Sequence, residues 1–200
     1  YFNLSRFSDT KEMSDVRPNL PKKILNREKL LKQIIDDRYL GGYLVNKIFK
    51  TEILKKYNIK LVEDILVSED ELFCLEYVLK CDRTAAYKID NEYFYRDNPL
   101  SLTNTNLKKK LSDMVRARVS ASKLLAGTRT EHLARGSALI ARIYCSFYNE
   151  TEKITKCELV KNIPLIFFKY VKRNDKLCYL LYILSSRLAK KIYFKRKSAT

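Results

Sequence analysis

Several features that mark common protein classes are absent from this sequence. It has one histidine and five cysteines with no Cys-x-x-Cys pair, so a zinc site is not expected. The odd number of cysteines does not suit a disulfide framework, which favours a reducing, cytoplasmic setting. The apolar runs at 163–168 and 177–184 are far shorter than the roughly 20 residues that cross a bilayer. Neither an initiator methionine nor a signal peptide opens the chain at Tyr1, so we expect a fragment of a longer protein.

The residues that are present indicate a folded, basic protein. Apolar residues make up 46% of the 200 residues, enough for one hydrophobic core with an appended subdomain. The net charge of +17 is shared unequally. Residues 1–100 contain 18 Lys and Arg against 17 Asp and Glu, whereas residues 101–200 contain 22 against 6. This asymmetry predicts that the second half faces nucleic acid, anionic lipid or a phosphorylated substrate.

Apolar spacing predicts a chain made mostly of helices. The predicted helices are Asn26 to a stop at Gly41-Gly42, Thr51 (as cap) to Tyr57, Ser68 to about Cys81, a wholly helical region from about Asn106, and final helices at 155–172 and 176–194. Strands are predicted at Thr84–Ile89 and Glu92–Arg96, joined by a tight turn at Asp90-Asn91. Residues 1–22 are polar and are predicted to form a connecting loop, and residues 58–61 to be extended.

An acidic cluster at residues 68–73, Ser-Glu-Asp-Glu-Leu-Phe, marks the start of one predicted helix. Ser68 and Glu71 have the spacing of a capping box, in which each side chain bonds an exposed amide of the first turn. Asp70 is not needed by that motif. A carboxylate held at the edge of a buried helix can act as a general base. The residues alone leave a structural and a catalytic role for Asp70 open.

Three short segments occur in order around this cluster: Val45-Asn46-Lys47-Ile48-Phe49, then Ser68–Phe73, then Tyr93-Phe94-Tyr95-Arg96. Together they resemble the acceptor-side half of bacterial family-two glycosyltransferases with the GT-A fold. Those enzymes typically carry WNK(L/I)(Y/F), EDxLF and YYYR in the same order. The resemblance covers residues 40–104.

The resemblance implies a helix-rich α+β fold in two parts. Residues 1–104 would be the acceptor-side, catalytic-base portion of a GT-A type α/β glycosyltransferase, and residues 105–200 a basic helical C-terminal subdomain. It implies an inverting enzyme that moves a sugar from a nucleotide-sugar donor to a saccharide or lipid-linked acceptor in surface polysaccharide synthesis. A divalent manganese or magnesium ion is expected on the same ground, with its ligands in a nucleotide-binding half that this chain does not contain.

The resemblance also assigns site residues. Asp70 matches the family's general base, which takes the proton of the acceptor hydroxyl. The residues assigned to the substrates are Glu69, Asn46, Lys47, Tyr95 and Arg96. Val45 stands where the family has tryptophan, so an aromatic platform for a sugar ring would have to come from Tyr43 or Tyr95.

The basic C-terminal helices allow more than one partner. We expect them to hold the protein against an anionic membrane surface, at the inner face of the membrane. A core-packed last helix with a solvated tail remains the other interpretation of residues 176–197. A nucleic-acid-binding or protein-interaction module without catalysis is the alternative function, but no helix-turn-helix or RRM signature supports it, and nucleic acid is not the expected partner.

Overall fold

The computed structural model describes residues 3–8, 11–15, 25–36, 41–81, 92–96, 107–148, 154–166 and 173–197. In these segments the protein is helix-rich, as the sequence predicts. The helices are α1 (Arg27–Ile35), α2 (Thr51–Tyr57), α3 (Glu69–Lys80), α4 (Leu107–Leu124), α5 (Glu131–Tyr148), α6 (Lys156–Lys161), α7 (Ile163–Ile166), α8 (Arg173–Leu184) and α9 (Ser186–Lys197). The strands are β1 (Asn3–Ser8), β2 (Lys11–Asp15) and β3 (Glu92–Arg96).

A three-stranded sheet has the order β2-β1-β3, with β1 antiparallel to β2 and parallel to β3. The prediction of a loop over residues 1–22 is therefore wrong for residues 3–8 and 11–15. Strand β1 is polar, and its pairing comes from β3, about ninety residues away, so local sequence carries little sign of it. Strand β3 is confirmed, whereas Thr84–Ile89 and the turn at Asp90-Asn91 lie outside the described residues.

The starts of the first helices follow the sequence more closely than their ends. The Asn26 side chain accepts a hydrogen bond from the Lys29 amide, 3.0 Å away, and caps α1 as predicted. Helix α1 ends at Ile35, before the Gly41-Gly42 pair that was predicted to stop it. Helix α2 has its predicted bounds, but its cap is Lys50, with no side-chain hydrogen bond.

Three residues end or interrupt helices in ways that the spacing does not predict. Asn58 closes α2 in the left-handed conformation, with φ of 49°, so it is not extended. Ser185 separates α8 from α9, and its hydroxyl oxygen accepts a hydrogen bond from the Leu188 amide, 3.3 Å away. Asn162 separates α6 from α7 within the helix predicted at 155–172. Residues 167–172 of that prediction lie outside the described residues.

Two large core clusters organise the helices. The first joins α1, α3 and the α4–α5 hairpin through residues such as Leu31, Leu75 and Leu125, all fully buried. It therefore contains residues from both sides of residue 104, the predicted boundary. The second cluster packs α5 against the last helices around Phe147 and Tyr179. The acidic cluster of interest lies at the edge of the first core.

Candidate active site at the start of helix α3

The segment that carries Asn46 and Lys47 is fixed against helix α3 by a close backbone approach at Gly42. A Cβ atom placed on Gly42 would lie 2.5 Å from both Cα and Cβ of Glu71, far inside contact distance. The Cys74 thiol donates a hydrogen bond to the Gly42 carbonyl oxygen, 3.2 Å away. Burial raises the pKa of this thiol to about 12, which keeps it protonated as a donor.

Aromatic side chains hold the far end of the same segment. The Phe49 ring lies edge-on to Phe73 and Tyr77, with ring centroids 5.2 Å and 4.9 Å apart, the geometry that aromatic quadrupoles favour. The Lys50 amide donates to the Tyr77 hydroxyl oxygen at 2.8 Å. Residues 42–50 are thus anchored to α3 at both ends, and the Asn46-Lys47 pair lies between the anchors.

We expect Gly42→Ala to destabilise the protein by about 3 kcal/mol, the upper end for overpacking, because the atoms in the way are the Cα of Glu71 and the Cβ fixed to it, which cannot move without the helix. Gly127→Ala is the matched control. Gly127 has a φ of +78°, and nothing lies within 4 Å of a Cβ placed there, so only backbone strain of about 1 kcal/mol is expected. Urea unfolding of both variants measures the difference, and equal losses would contradict a close approach at Gly42.

The capping box predicted at Ser68 and Glu71 is not formed. Ser68 adopts the left-handed conformation, with φ of 70° and ψ of 17°, and its side chain makes no capping hydrogen bond. A side-chain cap requires extended backbone at that position. Oδ1 of Asp70 instead accepts a hydrogen bond from the Glu71 amide at 2.9 Å. Asp70 is therefore the acid that bonds the helix start.

Glu71 has a different partner, which sequence reasoning missed. Its carboxylate is buried, and Oε1 accepts a hydrogen bond from Nη1 of Arg118 at 2.8 Å. The same guanidinium donates to the Ile35 carbonyl oxygen at 3.4 Å. One arginine of α4 thus joins the first turn of α3 to the end of α1. In the sequence, Arg118 follows Met114 by four residues on the apolar side of α4, where a charged group needs a buried partner.

Helix α4 also binds the loop that leads into α3. Asp113 accepts a hydrogen bond from the Leu66 amide at 3.2 Å. Arg116 forms an ion pair with the Asp64 carboxylate and also donates to the backbone carbonyl oxygen of Asp64 at 2.7 Å. Together with Arg118, these residues give the start of α3 three attachments to α4. The basic helical half therefore helps to position the acidic cluster.

The environment of Asp70 raises its pKa from 3.8 to about 6. Burial is the main cause, and the negative charge of Glu69 adds to it. The Glu71 amide and the positive charge of Lys47 act in the opposite direction. A carboxyl with a pKa near 6 is ionised at neutral pH and still basic enough to accept a proton in a transition state.

Of the predicted substrate residues, Lys47 lies close enough for its charge to act on this carboxyl, and Asn46 is bonded to Lys47. The Lys47 ammonium donates to Oδ1 of Asn46 at 2.9 Å and to the Tyr43 carbonyl oxygen. Asn46 is only 1% exposed, and its Nδ2 has no hydrogen-bond partner within the described part of the chain. Buried amides are nearly always bonded, so this donor lacks a partner that such groups normally have.

The structure brings together only part of the predicted site. Asn46, Lys47, Glu69 and Asp70 form one group. Tyr95 and Arg96 lie in strand β3, paired with β1, and Arg96 is exposed. Among the described residues, Glu69 and Lys47 supply the side-chain charges that shift the pKa of Asp70.

The described residues offer no metal centre: they contain no group of three or more His, Cys, Asp or Glu side chains that could hold an ion. Lys47 places a positive charge close to Asp70, which also disfavours a cation there. Among the same residues, every helix is too short or too polar to cross a membrane. Comparison with protein-family models, curated proteins and solved structures finds no match to this chain.

Proposed function

We propose that this chain is the acceptor-side portion of an inverting glycosyltransferase of the GT-A type, with Asp70 as its general base. The observation that carries the proposal is the group at the start of α3. Two short motifs that lie 23 residues apart, Asn46-Lys47 and Glu69-Asp70, meet there around a partly buried carboxyl whose pKa is about 6.

The geometry suits removal of a proton from a sugar hydroxyl. Oδ1 of Asp70 is held by the Glu71 amide, which leaves Oδ2 to accept the proton. As the proton moves, the acceptor oxygen bonds the anomeric carbon while the nucleoside diphosphate leaves from the opposite face, so the configuration inverts. The Nδ2 of Asn46 donates to another acceptor oxygen, and the Lys47 charge keeps Asp70 ionised between turnovers.

The donor diphosphate is bound elsewhere. By resemblance, a manganese or magnesium ion held by ligands of a nucleotide-binding half would neutralise its charge. Tyr95 and Arg96 are proposed at the substrates on the resemblance alone. The acceptor is proposed to be a growing saccharide on a lipid diphosphate, which places the enzyme at the cytoplasmic face of the membrane, where it builds a surface polysaccharide.

One observation weighs against the alternative of a nucleic-acid-binding module. Four arginines of the basic half are bound to acids of the protein itself: Arg116 to Asp64, Arg118 to Glu71, Arg135 to Glu131 and Arg142 to Glu158. Guanidinium groups engaged in this way are not available for phosphates without breaking their pairs.

The test is sugar transfer by the product of the complete reading frame that encodes this chain, supplied with labelled nucleotide-sugars and membrane lipid extracts. We expect transfer with inversion, and a rate that falls about tenfold per pH unit below about pH 6, because the base must be ionised. Absence of transfer from every nucleotide-sugar tried, or a rate that does not change between about pH 5 and pH 8, would contradict the proposal.

A further inference from the structure

A row of exposed leucines runs along the last two helices. Leu177, Leu180, Leu184 and Leu188 are all exposed, and Leu184 is 74% accessible to solvent. On α8, a spacing of three and four residues places the first three on one face. Leu188 continues the row beyond Ser185. The Ser185 amide donates to the Leu181 carbonyl oxygen, and the Ala189 amide donates to the Ser185 carbonyl oxygen, so helical hydrogen bonding continues across this residue.

The opposite side of these helices is already packed. Tyr179 is fully buried and its hydroxyl donates to the Leu159 carbonyl oxygen. Tyr193 lies against Phe147, with ring centroids 5.2 Å apart. The two helices are thus seated on the second core by their aromatic face. The leucine row is on the side that faces away from it.

Positive charges surround the leucines. Arg173, Arg187, Lys191 and Lys195 are exposed on the same two helices, and spacings of three, four or seven residues from the leucines place them on the same side. Between residues 173 and 197 there are eight basic residues and one acid, Asp175. The hydroxyl of Tyr144 donates to that carboxylate at 2.6 Å, so its charge is bonded to the protein. The outer face of α8–α9 therefore combines exposed leucines with cationic side chains.

We propose that this face docks on an anionic lipid bilayer, with the four leucines inserted at the boundary between head groups and acyl chains and the Lys and Arg side chains at the lipid phosphates. Burial of apolar surface accounts for the exposed leucines, and attraction to anionic lipid accounts for the Lys and Arg side chains. A second copy of the chain would bring two cationic faces together, and a nucleic acid would leave the leucines in water. The proposal does not depend on sugar transfer.

The absence of tryptophan gives a direct test. In Leu184→Trp the new indole is the sole tryptophan of these 200 residues, so the emission of this chain reports the environment of that position. We expect a blue shift with vesicles that contain roughly 30% phosphatidylglycerol and none with pure phosphatidylcholine vesicles, because anionic lipid is required. Val160→Trp is the matched control: Val160 is 54% exposed but lies on α6, and its emission is expected to stay unchanged.

Co-sedimentation with the same vesicles measures affinity. Leu184→Glu together with Leu188→Glu is expected to weaken binding by at least about tenfold, since two inserted side chains are lost, whereas Val160→Glu leaves binding unchanged. Circular dichroism checks that both proteins stay helical. The proposal is overturned if the wild-type chain ignores anionic vesicles, if the double variant binds as well as wild type, or if sedimentation shows that the leucines mediate a dimer instead.

Discussion

Replacing Asp70 with asparagine is expected to reduce sugar transfer by about 10²- to 10⁴-fold, the range that a general base contributes. The amide cannot accept the proton of the acceptor hydroxyl. Its oxygen can still accept the Glu71 amide hydrogen bond that Asp70 Oδ1 makes now, so the start of α3 should be kept. The measurement is the transfer rate of the complete enzyme carrying this one change.

The same substitution is expected to stabilise the protein, and this separates a catalytic loss from misfolding. The folded-state pKa of Asp70, about 6, lies above the ordinary aspartate pKa of 3.8, so the folded protein binds this proton more tightly than the unfolded chain does. Ionised Asp70 therefore lowers the free energy of unfolding above about pH 6, and the penalty disappears as the pH falls to about 4. Asp70→Asn should gain about 1 to 2 kcal/mol at neutral pH and nothing at about pH 4.

Asp64→Asn is the control for both effects. Asp64 is an exposed acid six residues earlier, paired with Arg116, and losing an exposed pair changes stability by less than about 1 kcal/mol. Transfer should persist in this variant. A destabilised Asp70→Asn protein, or one that keeps wild-type turnover, would contradict the role assigned to Asp70.

Breaking the buried pair between Glu71 and Arg118 is expected to have the largest effect on stability. In Arg118→Met, the Glu71 carboxylate stays buried without the Arg118 guanidinium, and such losses cost about 3 to 5 kcal/mol. Arg116→Met, two residues earlier on α4, removes an arginine from an exposed pair and should cost less than about 1 kcal/mol. Denaturant unfolding of the two variants gives the comparison.

The double replacement Glu71→Met with Arg118→Met completes the cycle. Removing both charges together leaves neither charge of the pair buried alone, so much of the lost stability should return. A coupling free energy near zero between the two positions would show that the carboxylate and the guanidinium do not act as a buried pair.

Local apolar spacing was enough to predict much of the fold. The bounds of α2 and α3, the strand β3 and the cap at Asn26 follow from short-range patterns, and the structure confirms them. The same patterns placed Asp70 in the first turn of a helix. They succeed where a segment's conformation depends on its own residues.

The failures depend on distant contacts. Strand β1 exists because β3 pairs with it, and no signal in its polar sequence announces that pairing. The capping box at Ser68 was predicted from spacing alone, but the loop before it is bonded by Asp113 and Arg116 of α4. The sequence predicts that Glu71 bonds the start of the helix, but Asp70 makes that bond. The error arises because the sequence does not reveal that Arg118 binds the Glu71 carboxylate.

The contacts of Glu71 limit how the sequence of this protein can vary in evolution. The backbone of Gly42 touches it from one side, and Arg118 binds it from the other. These positions belong to three separate segments, one of them in the basic helical half. Recombination that joined the first hundred residues to the helices of a distant relative would separate residues that must match. The two halves should therefore evolve as one unit, and in homologues the residues at positions 42, 71 and 118 should covary.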